Sequence, residues 1–324
     1  MRTLLQYAMR GRWHAILVAT GFFALTGLLV FGTGSGAATD LPLLLAGVTV
    51  YASGAVIALA GLRFGFQEGA IVAGGALVAA SLLSVTAGLG VQQVIAFAVL
   101  NWLPALIASH VLRGSSDQGQ AFAVIAILAT LGWFGMVTVL GQPTVVFEPL
   151  AKAIWPGVAA SITPPGEAPP ELGEQGIAAL SKALGWTMLA SQVFGVALTV
   201  LLARWWHALL DNPGGFGKEF RALRLPRWVA LGVGVSVVIG TVTSGMIGAV
   251  AGGFIAVALA LFNFQGVALA HGLVAIRKAP RGWLVAFYAF YVFGLLVPPY
   301  SPLLVAMAGF ADTLFDYRRR ASRQ

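Results

Sequence analysis

Side chains able to do chemistry are few in this chain, and their spacing points to recognition more than to catalysis. Cysteine is absent, so thiolate nucleophiles, disulfides and Cys-held zinc or iron–sulfur centres do not arise. The four histidines, His14, His110, His207 and His271, form neither an HExxH-like pair nor a two-His, one-carboxylate set. Each falls near the end of an apolar run, where an interfacial or capping role fits better than that of a base or a metal ligand. No apolar run carries Asp, Glu, Lys or Arg near its centre, which disfavours a proton relay. No catalytic residue, metal site or cofactor is expected, and an enzyme is the least supported of the functional classes.

Within the apolar runs the polar groups are neutral. Asn101, Gln192, Asn263 and Gln265 are the candidate ligand-contacting residues, with Gln92 and Gln93 nearby in sequence. A buried amide in lipid must find a partner, so two readings stand: hydrogen-bonding glue between helices, or the wall of a small-molecule pocket. Asn263 and Gln265 lie two residues apart, about 200° around a helix of 3.6 residues per turn, so at most one of them faces a given pocket.

Charged side chains supply a second set of candidates. Asp312 and Asp316, four apart, precede Arg318, Arg319 and Arg320, and Arg221, Arg224 and Arg227 alternate with Phe220, Leu223 and Leu225. These are candidate docking residues. Asp312 sits in an apolar stretch and needs a buried partner, for which Arg277, Lys278 and Arg281 are the expected choices, while Asp316 is within reach of Arg319 or Arg320 one helical turn on.

The elements that must position these groups follow from composition. Of 324 residues, 59% are hydrophobic and 9% charged, and mean hydropathy is +0.89, against about 25% charged in a soluble domain. Too few charges exist to coat a water-facing surface. Ten apolar runs approach the length needed to cross a bilayer: 15–31, 41–62, 70–86, 91–112, 121–141, 183–203, 228–244, 249–272, 282–297 and 300–315. With the N-terminus inside, 17 of the 19 Lys and Arg residues fall on the cytoplasmic side, leaving Lys152 and Lys182 outside. The net charge of +8 and the pI near 10.3 therefore express topology, and nucleic acid is excluded as a partner.

The expected fold is an all-α, polytopic helical bundle of about ten spans, N-in and C-in. It divides into a five-span block at 1–141, an outer-face loop at 142–182 and a second five-span block at 183–324 with a cytoplasmic loop at 204–227. The apolar run beginning at Ala15 is long for a signal peptide, so cleavage after Gly34-Ser35-Gly36-Ala37-Ala38 is not expected. In the outer loop, Phe147, Leu150, Ala151, Ile154 and Trp155 have helical spacing, which predicts a short interfacial helix ended at Pro156, either lying on the membrane or covering a pocket. Asp211-Asn212-Pro213-Gly214-Gly215 is expected to break the sixth helix. Gly214-Gly215-x-Gly217-Lys218 lacks the strand, spacing and following Ser or Thr of a phosphate loop.

Two stretches carry a resemblance. Asn263-Phe264-Gln265-Gly266-Val267-Ala268-Leu269-Ala270-His271, followed by a basic turn and a hairpin with Pro298-Pro299, and the terminal Gly309-Phe310-Ala311-Asp312-Thr313-Leu314-Phe315-Asp316-Tyr317-Arg318-Arg319-Arg320, resemble the YybS-like family of polytopic bacterial membrane proteins. Leu103-Pro104-Ala105 and Leu112-Arg113-Gly114 agree with it. The resemblance implies a distant likeness to the substrate-binding components of energy-coupling-factor vitamin transporters and to the rod-shape protein MreD. It implies a helical bundle in the bacterial inner membrane; Ala15 and Ala19 have the spacing by which such components dock their energising partner. Two functions are carried forward: a small-molecule-binding or transport component, and a non-catalytic scaffold in envelope biogenesis with a membrane or cytoplasmic protein partner.

Overall fold

In the computed structural model the residues described are 1–31, 40–88, 90–164, 166–296 and 300–323, and among them all regular structure is helical. The chain order is α1 (Arg2–Ala8), α2 (Arg12–Phe31), α3 (Asp40–Phe64), α4 (Phe66–Thr86), α5 (Val91–Phe97), a π-helical turn (Ala98–Trp102), α6 (Leu103–Ser115) and α7 (Gln118–Val139). Two short helices, α8 (Pro143–Val146) and α9 (Glu148–Ile162), lead to α10 (Glu174–Asp211), α11 (Gly215–Ala222), α12 (Arg227–Val242) and α13 (Gly245–Ile276). The chain closes with α14 (Gly282–Leu296), α15 (Tyr300–Phe315) and α16 (Tyr317–Ala321). The small-residue run 34–38 and Pro298-Pro299 lie outside the described residues.

Seven of these helices are long and apolar enough to cross a membrane: α2, α3, α4, α5 with its continuation through α6, α7, α10 and α13. The α11–α12 pair, bent by 40°, passes the same test as a unit, while α14 and α15 are apolar but shorter. Burial sorts them. The apolar stretch of α3 is 72% buried, against 22% for α2 and 28% for α4, so α3 is apolar all round because protein surrounds it, while α2 and α4 leave most of their apolar surface uncovered.

Helix α10 joins the two halves. It packs on α3 along one side and on α13 along another, and Trp102, Ile57, Phe122 and Phe262 are fully buried in one continuous core. Helices α13 and α15 approach closely. A Cβ added at Gly309 would overlap the main-chain carbonyl of Phe262 and lie 2.7 Å from the nitrogen of Gly266, and one at Gly266 would overlap the carbonyl of Val305.

The segment 142–182 departs from expectation at the end of its helix. α9 runs on through Pro156 to Ile162. Pro156 removes only the hydrogen bond to the carbonyl of Lys152, and both residues are exposed, so that carbonyl can be solvated. Glu148 and Lys152 form the expected i,i+4 pair at 2.6 Å. α10 begins at Glu174 and takes in the last residues of the expected loop.

Basic side chains clasp neighbouring helices at the opposite end. Arg12 pairs with Glu68, Arg63 with Asp211 at 3.3 Å, Arg204 with Glu219, and Arg113 donates to the carbonyl of Leu62 at 3.2 Å. Asp211 also lies 3.4 Å from His207. The tail is held in the same way. Asp316 adopts a left-handed conformation (φ 51°), which stops α15; it caps α16 by accepting from the backbone of Arg319 and pairs with Arg224. The Arg224 hydrogen bond holds the Asp316 carboxyl below the usual carboxylate range. A lowered folded-state pKa means that this contribution is complete above the ordinary value of about 3.9 and is lost as pH falls through the lowered value. The stability gap between wild type and Arg224→Ala is therefore expected to shrink on acidification below pH 4 in detergent unfolding curves. A gap of equal size at pH 7 and pH 3 contradicts this role.

Candidate functional site

The site begins with a proline. Pro104 has no N–H, so the carbonyl of Leu100 lacks its ordinary helical donor, and the chain passes through a π-helical turn at 98–102 in the middle of the α5–α6 span. Gln192, at the middle of α10, fills the vacancy: its Nε2 donates to Leu100 O at 2.7 Å and to Asn101 Oδ1 at 3.1 Å. Asn101 Nδ2 donates to Phe97 O at 3.2 Å. Re-satisfaction of freed backbone by a neighbouring helix is how a broken span survives in lipid.

Two cavities meet at this pair. One, of about 260 Å³, is lined by Tyr51, Asn101, Thr187, Ser191 and Gln192 with Met188 and Gly195. The other, of about 480 Å³, is apolar, running between the π turn, α6, α7 and α10 past Leu103, Ile107, Gly132 and Val193. Met188 and Gln192 line both. Phe147, from the turn between α8 and α9, closes one end of the apolar groove against Trp133 and Gly185, where a Cβ would lie 2.9 Å from the Phe147 ring.

The polar cavity has unspent hydrogen-bonding capacity. Several Ser and Thr hydroxyls of the bundle, those of Ser53, Ser109, Thr130 and Ser181 among them, bond back to a carbonyl three or four residues earlier, although Thr20 is buried without a partner. Thr187 and Ser191, one turn apart on α10, make no such bond, and neither does the hydroxyl of Tyr51 or Gln192 Oε1 have a protein partner among the described residues. Glycine at 195 lets Tyr51 approach, since a Cβ there would lie 3.0 Å from the phenolic oxygen. Thr187 and Ser191 are exposed and Tyr51 and Gln192 half-buried, so these unused donors and acceptors are open to a ligand.

The four amides of the expected pocket do not converge. Asn101 and Gln192 share this site. Asn263 lines a separate groove of about 340 Å³, and its amide is engaged there, donating to Pro302 O at 2.8 Å and accepting from Tyr291 Oη at 2.9 Å. Gln265 is fully buried. Its Oε1 accepts from Leu225 N at 2.7 Å and its Nε2 donates to Gly309 O at 2.9 Å and Thr313 Oγ1 at 2.8 Å, so it ties α13 to α15 and to the strap before α12. The two amides of α13 point to different neighbours, as their spacing requires.

The docking candidates divide as well. Asp312 is enclosed, and its partner is Arg318 rather than Arg277, Lys278 or Arg281. The left-handed turn at Asp316 folds the tail back, so Arg318 donates to Asp312 Oδ2 from Nη2 at 2.6 Å and to the carbonyls of Arg221 and Leu223 at 2.7 and 2.9 Å. Burial lowers the Arg318 pKa, and Asp312 opposes that shift. Asp316 takes Arg224 across the chain as its ion-pair partner; its bond to Arg319 is to the backbone. Arg221 and Arg227 are exposed.

Tyr51, Thr187 and Ser191 were not among the residues expected from sequence. Pro104 inside an apolar run and the i,i+4 hydroxyls at 187 and 191 were the available signals. Fold and site together define an all-α protein with several helices suited to a membrane and a neutral polar site at mid-span. Comparisons with family models, curated proteins and solved structures found no match.

Proposed function

We propose that the chain is a small-molecule-binding or transport component of the bacterial inner membrane, with its ligand held at mid-span by Gln192, Asn101, Tyr51, Thr187 and Ser191. The observation that carries this reading is the set of unpartnered hydroxyls and Gln192 Oε1 beside two adjoining cavities. Pockets of a few hundred Å³ with a small number of convergent polar groups are the usual form of a ligand site. The outer segment supports a covering role, since Phe147 already reaches the groove.

Ten spans follow if the α11–α12 pair, α14 and α15 each cross, and the distribution of Lys and Arg supports placing both termini in the cytoplasm. The YybS-like resemblance is retained as part of this proposal. Its two motif stretches face each other across the α13–α15 contact, through Gly266, Gly309, Gln265 and Thr313.

Native mass spectrometry of the full chain in nanodiscs tests the function. Wild type is expected to retain a small molecule that is not a bulk phospholipid, to lose it in Ser191→Ala/Thr187→Val, and to keep it in Asn263→Ala. An empty wild type, or a ligand insensitive to the 187/191 double variant, overturns the assignment.

A further inference from the structure

We propose that the mid-span site takes an amphiphile with an uncharged, hydrogen-bonding head and a hydrocarbon chain, drawn sideways from the bilayer; this rests on the binding function proposed above. The two cavities differ in chemistry and share a wall. The polar one presents hydroxyls of Tyr51, Thr187 and Ser191, and the larger one is lined by aliphatic and aromatic carbon. A ligand lying across Gln192 and Met188 therefore meets hydrogen-bonding groups at one end and an apolar channel at the other.

Charge decides the head. No Asp, Glu, Lys, Arg or His lines either cavity, so an ionised head at mid-span would have no counter-ion and would be strongly disfavoured. A hydroxyl or amide head can use the acceptors and donors that the protein leaves open. Access is lateral, because Val99, Leu100, Leu103 and Met188 on the groove wall are exposed on the flank of the bundle, where lipid lies, while Phe147 closes the outer end.

Gly132 supplies a clean way to block the channel. It lines the apolar groove, and a Cβ added there meets nothing within 4 Å, so a larger side chain starts from open space and is expected to extend into the groove. The test uses the full chain in phosphatidylcholine nanodiscs with two photoactivatable probes of equal chain length, a monoacylglycerol and a phosphatidylcholine. The monoacylglycerol is expected to label residues 99–107 and 185–196 at least about tenfold more than the phosphatidylcholine, and Gly132→Phe is expected to reduce that labelling about tenfold with unfolding temperature unchanged. Ser191→Ala/Thr187→Val is expected to reduce it similarly. Equal labelling by both probes, or labelling unaffected by Gly132→Phe, overturns the amphiphile. A small molecule that is still lost in the 187/191 double variant leaves the binding function standing in that case, and its absence removes both.

Discussion

Arg318→Met is expected to cost about 3–5 kcal/mol of folding stability, because it leaves Asp312 as a buried carboxylate without its counter-ion. The Asp312 side chain has no solvent exposure, its Oδ1 has no protein partner, and Arg224 comes only within 3.8 Å of Oδ2. Arg318 also satisfies the carbonyls of Arg221 and Leu223, so its loss frees the strap between α11 and α12 from the tail. Adding Asp312→Leu to Arg318→Met is expected to recover much of the loss, since the uncompensated charge is gone and only the two carbonyls remain unserved. Thermal or denaturant unfolding in mild detergent measures both. An Arg318→Met variant within 1 kcal/mol of wild type shows that the pair is not holding the tail.

Gly309→Leu is the second large effect. Most overpacked sites relax by moving a side chain, at about 1–3 kcal/mol. Here the obstacles are the Phe262 carbonyl and the Gly266 nitrogen, both main chain within α13, so relief requires α13 and α15 to separate. Separation also breaks the bonds from Gln265 to Gly309 O and Thr313, leaving a buried amide unpaired. The expected loss is at the top of that range or above it, seen as a collapsed yield of monodisperse protein or a large drop in unfolding temperature. Gly132→Ala is the control: its Cβ points into open space, and alanine is about 1 kcal/mol better than glycine inside a helix. Equal behaviour of the two variants removes the close-approach argument.

The close approach also gives the two motif stretches a physical content. Asn263 to His271 and Gly309 to Arg320 are far apart in sequence, yet they form one contact in which glycines permit proximity, Gln265 bridges the helices and Asp312 meets Arg318. Asn263, Gln265, Asp312, Asp316 and Arg318 within them are engaged in holding the bundle. The residues left free for a ligand are elsewhere, at the π turn and on α10.

How much of this could be read beforehand depended on the kind of signal. Apolar run length locates the helices because each segment in lipid must satisfy its own backbone hydrogen bonds, a local requirement written in local sequence. The all-α class, the break at Asp211–Gly215, the helical outer segment and the divergence of Asn263 from Gln265 all come from spacing along one element. The end of α9 did not, because proline's effect depends on whether the carbonyl it deprives is buried or solvated.

Partner choice was beyond the sequence. Asn101, Gln192, Asn263 and Gln265 are chemically alike, and only the arrangement of helices makes the first two neighbours of open cavities and the last two interhelical ties. Asp312 needed a cation, and five or more were available; the left-handed turn at Asp316 selected Arg318. The sequence by itself determined an all-helical chain rich in membrane-length segments, since hydropathy and periodicity act residue by residue. The tertiary structure decided which polar groups are spent on the fold and which are left to bind something else, because a hydrogen bond has to be made by two groups and the second is chosen by packing.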